Sequence, residues 1–341
     1  MKETHLFVSI IIPVRTITNY LKESIEYLKK LDYGLFEVLI FTDFPEECEI
    51  IDYRFKIYPS GKVGPAEKRN LALSFAKGEI LAFLDDDAYP KEDWLKKALS
   101  NFEDLSICAV GGPSLIPVNE GFLERVSGEI LASFLASGGT TIRHIQGNKK
   151  EFVDDYPTVN LLVRKEDFKN VGGFDKEFWP GEDTKLCLDL IKTGKKILYD
   201  PSVLVFHHRR AVFLPHLKQV SRYGMHRGQF ARIFPETSLK LAYFVPSLFV
   251  LGLSLGPFSF LVSKFFILPY FFCVYLYILL LLSEAFKTYK RTGVLKMIPY
   301  FIVGTFLTHL VYGVCILYGL FVKPKLNLRD IDGKTKKYLG G

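Results

Sequence analysis

Three consecutive carboxylates, Asp85-Asp86-Asp87, directly follow the apolar run Ile80–Leu84. Like charges this close repel one another, so the arrangement is costly unless a cation or hydrogen-bond donors neutralise it. Mg²⁺ and Mn²⁺ prefer a few hard oxygen ligands together with phosphate oxygens, and two of these aspartates could supply such ligands. The alternative is a solvated acidic turn ahead of a helix predicted to begin at Pro90, because Asp is favourable near a helix N-terminus.

A second acidic pair, Glu182-Asp183, follows Gly181 at the start of a predicted helix. A carboxylate at this position can cap the helix, which is the simpler interpretation of the pair taken alone. It can also act as a general base that takes a proton from an acceptor hydroxyl. The neighbours of the pair in the fold decide between these two roles.

A basic segment between His207 and Arg232 holds six Arg or Lys residues, four His residues and no acidic residue. Its apolar residues recur at helical spacing, which predicts an amphipathic helix on the inner membrane surface, attracted by anionic lipid headgroups. Arg222 in this helix could also hold a departing diphosphate. The pair His207-His208 could supply one metal ligand or simply face headgroups, and the sequence leaves both possibilities open.

The elements that must position these residues alternate between strand-like and helix-like patterns. Strand and helix alternating at this spacing predict a doubly wound, mostly parallel sheet covered by helices on both faces. Ligands of such sheets bind outside the carboxyl ends of the strands, where Asp43 and the three aspartates fall. The predicted strands are Phe7–Val14, Val38–Thr42, Arg54–Tyr58, Ile80–Leu84 and Ile107–Gly111, and predicted helices begin near Leu21, at Pro65 and at Pro90.

The C-terminal third predicts membrane spans, because three of its apolar runs are long enough to cross a bilayer as helices. These runs are Leu241–Ser263, Phe265–Ser283 and Met297–Val322. The loop Glu284–Lys296 and the tail after Lys323 are both basic, and the positive-inside rule would keep both in the cytosol, which three full spans do not allow. Either the third run is re-entrant or Gly256-Pro257 breaks the first, so the number of spans stays open.

The charge distribution supports a membrane location rather than a nucleic-acid partner. From Leu239 onward there are 12 Lys or Arg and 3 Asp or Glu, so the positive charge lies between and after the apolar runs. The apolar run at Phe7–Val14 is too short for a signal peptide, and residues 1–235 are therefore expected in the cytosol. The five Cys residues form no C-x-x-C pair, which excludes a zinc ribbon and a disulfide framework.

Taken together, these motifs resemble a membrane-associated family 2 glycosyltransferase with a GT-A fold, a Rossmann-like domain. The resemblance covers nearly all of residues 6–235. Tyr223 stands where the Q-x-x-R-W motif of processive members has Trp, and Asp43 alone stands where the second strand usually carries an acidic pair. The motifs are Val8–Val14, Gly64–Asn70, Gly78–Asp87, Asn160, Gly172–Asp175, Gly181–Asp183 and Gln219–Tyr223.

The resemblance implies a role for each motif residue. Asp183, Glu182 and Arg222 would be catalytic, with Asp183 as the base, and Asn160 and Gly181 would bind the acceptor. Asp85, Asp87, His207 and His208 would hold Mg²⁺ or Mn²⁺. The nucleotide-sugar donor would contact Pro13, Val14, Asp43, Arg69, Asn70, Asp85, Asp86 and Gln219.

The expected layout is a GT-A catalytic domain (1–206), a basic interface segment (207–238), a transmembrane region of about three spans (239–322) and a basic tail (323–341). The implied reaction is an inverting, metal-dependent sugar transfer to a lipid-linked or cell-surface saccharide at the cytosolic face of the cell membrane. Two alternatives remain. One is transfer to polyprenyl phosphate itself, as in dolichyl-phosphate mannose synthases, and the other is a non-catalytic membrane scaffold that retains the fold.

Overall fold

The structure, a computed structural model, describes residues 5–46, 50 and 52–322. The basic tail expected at 323–341 lies outside the described residues, as does Cys48. The four cysteines within the described ranges, Cys108, Cys187, Cys273 and Cys315, are free, as their spacing predicts.

A central sheet confirms the predicted α/β architecture. The strand order is β3-β2-β1-β4-β9-β6-β10-β8, in which only β9 and β8 run antiparallel to their neighbours. A smaller sheet has the order β5-β11-β7. The strands are β1 (Val8–Pro13), β2 (Phe36–Thr42), β3 (Phe55–Pro59), β4 (Ile80–Leu84), β5 (Ala88–Pro90), β6 (Ile107–Gly111), β7 (Ser114–Leu115), β8 (Glu151–Val153), β9 (Asn160–Arg164), β10 (Lys196–Tyr199) and β11 (Val205–His207).

Helices cover both faces of the central sheet, which explains why its inner strands are continuous apolar runs. Residues of α1 and α3 complete one core, and residues of α2, α6 and α7 complete the other. The helices are α1 (Asn19–Lys29), α2 (Pro65–Leu71), α3 (Trp94–Leu99), α4 (Phe122–Leu131), α5 (Phe134–Ser137), α6 (Lys165–Asn170), α7 (Glu182–Lys192), α8 (Leu214–Ile233), α9 (Pro235–Ser238), α10 (Leu241–Leu255), α11 (Ser259–Val262), α12 (Ile267–Thr292) and α13 (Met297–Phe321).

The prediction that a helix begins at Pro90 is wrong in its first residue. Pro90 instead ends β5 and pairs with Val205 of β11, and the helix begins at Trp94. The three residues of β5 bond antiparallel to β11, so that His207 stands opposite Ala88. This pairing places the residue after Asp87 beside His207.

Three C-terminal segments are helical, long and apolar enough to cross a membrane: Leu241–Val262, Lys264–Thr292 and Met297–Phe321. The first is interrupted by a 3-10 turn at Gly256–Phe258, at the Gly-Pro position that the sequence marked as a break. The third, α13, packs along α8, and α10 packs against α13.

Glycines permit this close packing of α8 on α13. A Cβ at Gly228 would lie 2.1 Å from the carbonyl oxygen of Ile316, and one at Gly224 would lie 2.9 Å from that of Tyr312. The predicted interface helix is therefore packed along one face against a candidate membrane span, and its opposite face lines a cleft beside the central sheet.

Candidate active site

An acidic and imidazole cluster lies at the carboxyl end of β4. Asp85, Asp87 and His207 each offer one ligand atom, and these atoms lie within 4.8 Å of one another. The Nε2 atom of His207 is 3.1 Å from Oδ1 of Asp87. Two carboxylates and one imidazole form a donor set that fits a divalent cation such as Mn²⁺ or Mg²⁺, since hard oxygens dominate it.

His208, expected as a possible metal ligand, points elsewhere. Its Nδ1 lies 2.9 Å from a carboxylate oxygen of Glu120, and its Nε2 lies 2.9 Å from one of Glu23. Among the described residues the metal-competent cluster therefore includes His207 but not His208. Alternation of side chains along a strand explains the difference, because neighbouring residues of an extended chain point in opposite directions.

The expected donor-binding residues at the end of β1 and β2 do meet on the cleft. Pro13, Val14 and Asp43 line it, and the buried side chain of Lys68 joins them. Lys68 Nζ donates to the carbonyl oxygen of Val14 and to Oδ1 of Asp43, both at 2.5 Å. Burial lowers the pKa of Lys68, although Asp43 opposes this effect. Lys68 lies within the motif Gly64–Asn70, but the sequence alone assigned it no role.

Arg69 connects the two acidic motifs. Its buried guanidinium donates to Oδ1 of Asp85 at 2.9 Å and to Oε1 of Glu182 at 3.1 Å. The aspartate triplet and the Glu182-Asp183 pair thus lie on either side of one guanidinium group. A positive charge held between the two motifs offsets part of their mutual repulsion.

The Glu182-Asp183 pair begins α7 and borders the cleft. Burial raises the pKa of Asp183 to about 6, and the negative charge of Asp155 acts in the same direction. Burial likewise raises the pKa of Glu182 to about 7, with the charge of Asp183 adding to it. A carboxylate whose pKa is raised towards neutrality suits proton transfer better than an ordinary surface carboxylate.

Two expected ligand-binding asparagines serve the fold instead. Asn160 is 0% exposed, accepts from the indole of Trp94 and donates to the carbonyl oxygens of Gly112 and Val203. Asn70 exchanges two hydrogen bonds with the backbone of Phe174. Neither asparagine lines the cleft in the part of the chain that the structure describes. A sequence motif does not reveal side-chain direction, and these amides satisfy buried backbone groups.

The cleft-facing side of α8 brings the basic segment to the site. Gln219 and Arg222 line the cleft, as does Asp86, and Gln219 Nε2 donates to the Tyr223 hydroxyl at 2.8 Å. The Tyr223 side chain is 47% exposed, on the same cleft-lining side of the helix. Gly181 also lines the cleft, next to the acidic pair.

A buried network of hydrogen bonds and ion pairs around Asp155 lies next to the acidic pair and was not predicted from the sequence. Asp155 accepts from Thr184 Oγ1 at 3.0 Å and from Arg227 Nη2 at 3.0 Å, and Arg143 lies 3.4 Å away. Although burial acts to raise it, the two guanidinium groups hold the pKa of Asp155 well below its usual range. The network joins α8 to the first turn of α7, and no local motif marks such long-range partners.

The cleft has a volume of about 3550 Å³ and extends from Pro13 to the C-terminal helices, where it is lined by Pro246, Tyr277 and His309. It is therefore continuous from the acidic cluster to the candidate membrane spans. A space of this size exceeds the usual range for one small ligand.

Comparisons with known proteins show which proteins this chain is similar to. Residues 9–172 match the family model described as glycosyl transferase family 2. Pre-mycofactocin glycosyltransferase of Mycobacterium tuberculosis is 28% identical over 247 residues, which are 70% of this chain and 50% of that protein. This chain thus spans about half the length of that relative.

A dolichyl N-acetyl-α-D-glucosaminyl phosphate 3-β-D-2,3-diacetamido-2,3-dideoxy-β-D-glucuronosyltransferase of Methanococcus voltae is 25% identical over 244 residues, 66% of this chain and 74% of that protein. The solved mannosyltransferase of Pyrobaculum calidifontis, in complex with GDP-Man and Mn²⁺, superposes with a TM-score of 0.55 at 16% identity, covering 94% of this chain and 88% of that one. The resemblance seen in the motifs is confirmed: this chain carries a glycosyltransferase family 2 domain with a GT-A-like fold, followed by C-terminal helices that are candidate membrane spans.

Proposed function

We propose that this protein transfers a sugar from a nucleotide-sugar donor to a lipid-linked or cell-surface saccharide, by an inverting, metal-dependent reaction at the cytosolic face of the cell membrane. The observation that carries the proposal is the Arg69 bridge, which holds Asp85 and Glu182 on either side of one guanidinium in a single cleft. A cation-binding cluster and a candidate base are thereby brought within reach of one bound substrate.

The donor would lie along the edge formed by β1, β2 and β4, at the carboxyl ends of parallel strands. Pro13, Val14 and Asp43 border the space for the nucleoside, and Asp86 lines the same cleft. The mannosyltransferase of similar fold, which holds GDP-Man and Mn²⁺, supports this use of the cleft. Asp85, Asp87 and His207 would hold the cation, whose positive charge would stabilise the diphosphate as it leaves.

The acidic pair supports direct displacement. Asp183 would accept the proton of the acceptor hydroxyl while that oxygen bonds to the anomeric carbon and the bond to the diphosphate breaks. Attack on the face opposite the leaving group inverts the anomeric configuration. The Asp155 network supports this role, because Thr184, the residue after Asp183, is fixed by its hydrogen bond to Asp155.

The acceptor would enter from the membrane side. The cleft runs without interruption to Pro246, Tyr277 and His309 of the C-terminal helices, so a lipid-anchored saccharide could reach Asp183 while its tail stays in the bilayer. The name of the Methanococcus voltae relative, which describes a dolichyl-phosphate-linked sugar acceptor, supports this substrate class. We propose in addition that the protein is multi-pass, with residues 1–235 in the cytosol.

The test of the function is sugar release and transfer by the full chain purified in detergent. The purified protein is given a panel of nucleotide sugars, first with Mn²⁺ or Mg²⁺ and then with EDTA. Crude lipid-linked saccharides and polyprenyl phosphate serve as acceptors. We expect one nucleotide to be released, in a cation-dependent reaction. If no nucleotide is released from any donor, the proposal is overturned and the scaffold alternative is favoured. Transfer to polyprenyl phosphate alone would favour the alternative that resembles dolichyl-phosphate mannose synthases.

Arg222→Ala should lower turnover about tenfold to a hundredfold while donor affinity changes less. A cationic side chain on the developing diphosphate stabilises the transition state more than the bound donor. Turnover and donor binding are measured on the same preparation. Arg232→Ala is the matched control, because Arg232 lies on the same helix but is exposed. An Arg222→Ala effect confined to membrane attachment would show that Arg222 serves only the lipid surface.

A further inference from the structure

His226 lies on the face of α8 that is turned away from α13. An α-helix turns about 100° per residue, so His226 is about 200° from both Gly224 and Gly228, which pack against α13. Residues on the opposite face recur at helical spacing and line the cleft: Gln219, Arg222, Tyr223, His226 and Phe230.

The imidazole of His226 is buried without a hydrogen-bond partner. The residue is 7% exposed, and within the described residues neither Nδ1 nor Nε2 has a donor or acceptor to bond. Buried polar groups in native proteins almost always have a partner, and one left without a protein partner costs free energy. Because this ring lines the cleft, a bound molecule can supply the missing partners.

Residues beside His226 on α8 reach the segment that carries the candidate base. Phe230 approaches Gly181, whose Cβ position lies 3.1 Å from the Phe230 ring. Arg227 bonds Asp155, which in turn holds Thr184. The charge of Asp183 also acts on the Tyr223 phenol, one turn before His226. His226 therefore lies among α8 residues that contact this segment, and it lines the same cleft as Asp183.

We infer that His226 binds the acceptor sugar through a hydrogen bond between one ring nitrogen and a hydroxyl of that sugar. This inference rests on the proposed function and specifies its acceptor as a neutral sugar ring at this point. A neutral imidazole has one donor and one acceptor, and a hydroxyl can bond to either of them because it both donates and accepts.

The protonation state agrees with a neutral partner. Burial lowers the pKa of His226 to about 4, and the adjacent Arg227 charge acts in the same direction. The ring is therefore uncharged at neutral pH and supplies no positive charge for a phosphate. A hydroxyl group suits such an uncharged ring, because it can both donate and accept a hydrogen bond.

Binding of hexyl β-glycosides of glucose, galactose and N-acetylglucosamine tests the inference without knowledge of the natural acceptor. The chain has two tryptophans, of which Trp94 is fully buried and Trp179 lines the cleft, so a fluorescence change on titration reports the cleft. We expect His226→Phe to weaken glycoside binding at least about tenfold, since the buried hydroxyl contacts are lost. His226→Gln, which keeps a donor and an acceptor, should restore part of the affinity.

His216→Gln is the matched control, because His216 is buried on the same helix but is bonded to Ser127 and Thr308 at 2.8 and 2.9 Å. Its glycoside affinity should stay at the wild-type value, and thermal melting of all variants checks folding. Where the donor panel identifies a donor, the ratio of glycoside transfer to donor hydrolysis should fall in His226→Phe and partly recover in His226→Gln.

Several results would overturn the assignment. These are equal glycoside affinity in wild type and His226→Phe, no response of the wild type to any of the glycosides, or a His226 effect seen only with farnesyl phosphate. Failure of the proposed function would look different, because the wild type would then turn over no nucleotide sugar while glycoside binding could still depend on His226.

Discussion

Asp183→Asn should lower the rate of sugar transfer by about 10²- to 10⁴-fold, because an amide cannot accept the proton of the attacking hydroxyl. The substitution keeps the size of the side chain, and an amide oxygen can still accept from the backbone amide of Thr184, as Asp183 Oδ1 does at 2.8 Å. The loss should therefore appear in turnover with saturating donor, and donor affinity should change little. Transfer measured with bound donor, beside nucleotide binding to the same preparation, separates the two.

The pH dependence provides a second measure of the same base. The pKa of Asp183 is raised to about 6, and a base works only when deprotonated, so transfer should be full above that value and fall as pH decreases through it. Glu182, with its pKa raised to about 7, titrates in the same range and broadens the decline. Asp183→Asn should remove most of the rate and flatten this acidic limb between pH 5 and about 8.

Asp189→Asn is the control on the same helix, because Asp189 pairs with Lys185 and does not line the cleft in the described chain. It should keep the wild-type rate and pH profile. Full transfer by Asp183→Asn with bound donor would contradict the base assignment, and an equal loss in Glu182→Gln alone would move the role to Glu182.

The sequence was sufficient to predict five of the eight strands of the central sheet, because most of these strands are apolar on both faces. Runs such as Ile80–Leu84 and Ile107–Gly111 match β4 and β6 in both bounds. The position of the three aspartates follows from the same logic, since β4 is apolar throughout and its charged residues come only after its carboxyl end. Pro90 shows the limit of local patterns: a strand of three residues is defined by its partner β11 and not by its own composition.

Much of the candidate site could not be predicted from the sequence, because it depends on contacts between residues that are far apart in the chain. His207 and His208 are equivalent in the sequence, and only the register of β11 against β5 brings His207 to Asp87. Asn160 illustrates the converse case, in which a motif residue is held in the core by two hydrogen bonds from its amide nitrogen, to Gly112 and Val203. Arg69 and Lys68 lie next to each other in the chain, yet one reaches Glu182 and the other reaches Asp43.

Asp87→Ala should lower cation-dependent turnover about a hundredfold or more and raise the Mn²⁺ concentration needed for half-maximal activity. Removal of one of three ligands weakens the hold on the cation, and the positive charge that stabilises the leaving diphosphate is lost with it. The three ligand atoms lie within 4.8 Å of one another, and no other His, Cys, Asp or Glu of the described residues belongs to this group. Activity is titrated with Mn²⁺ after EDTA treatment, and Mn²⁺ binding without donor is followed by electron paramagnetic resonance.

The histidine pair supplies a matched comparison for the same site. His207→Gln should raise the half-maximal Mn²⁺ concentration about tenfold or more, because an amide is a poorer ligand than imidazole for this cation. His208→Gln should leave that concentration unchanged, since its ring is held between Glu23 and Glu120. Unchanged cation dependence in Asp87→Ala would place the metal elsewhere, and equal effects of the two histidine variants would contradict the β5–β11 register. The comparison therefore tests the one strand pairing on which the geometry of the acidic cluster depends.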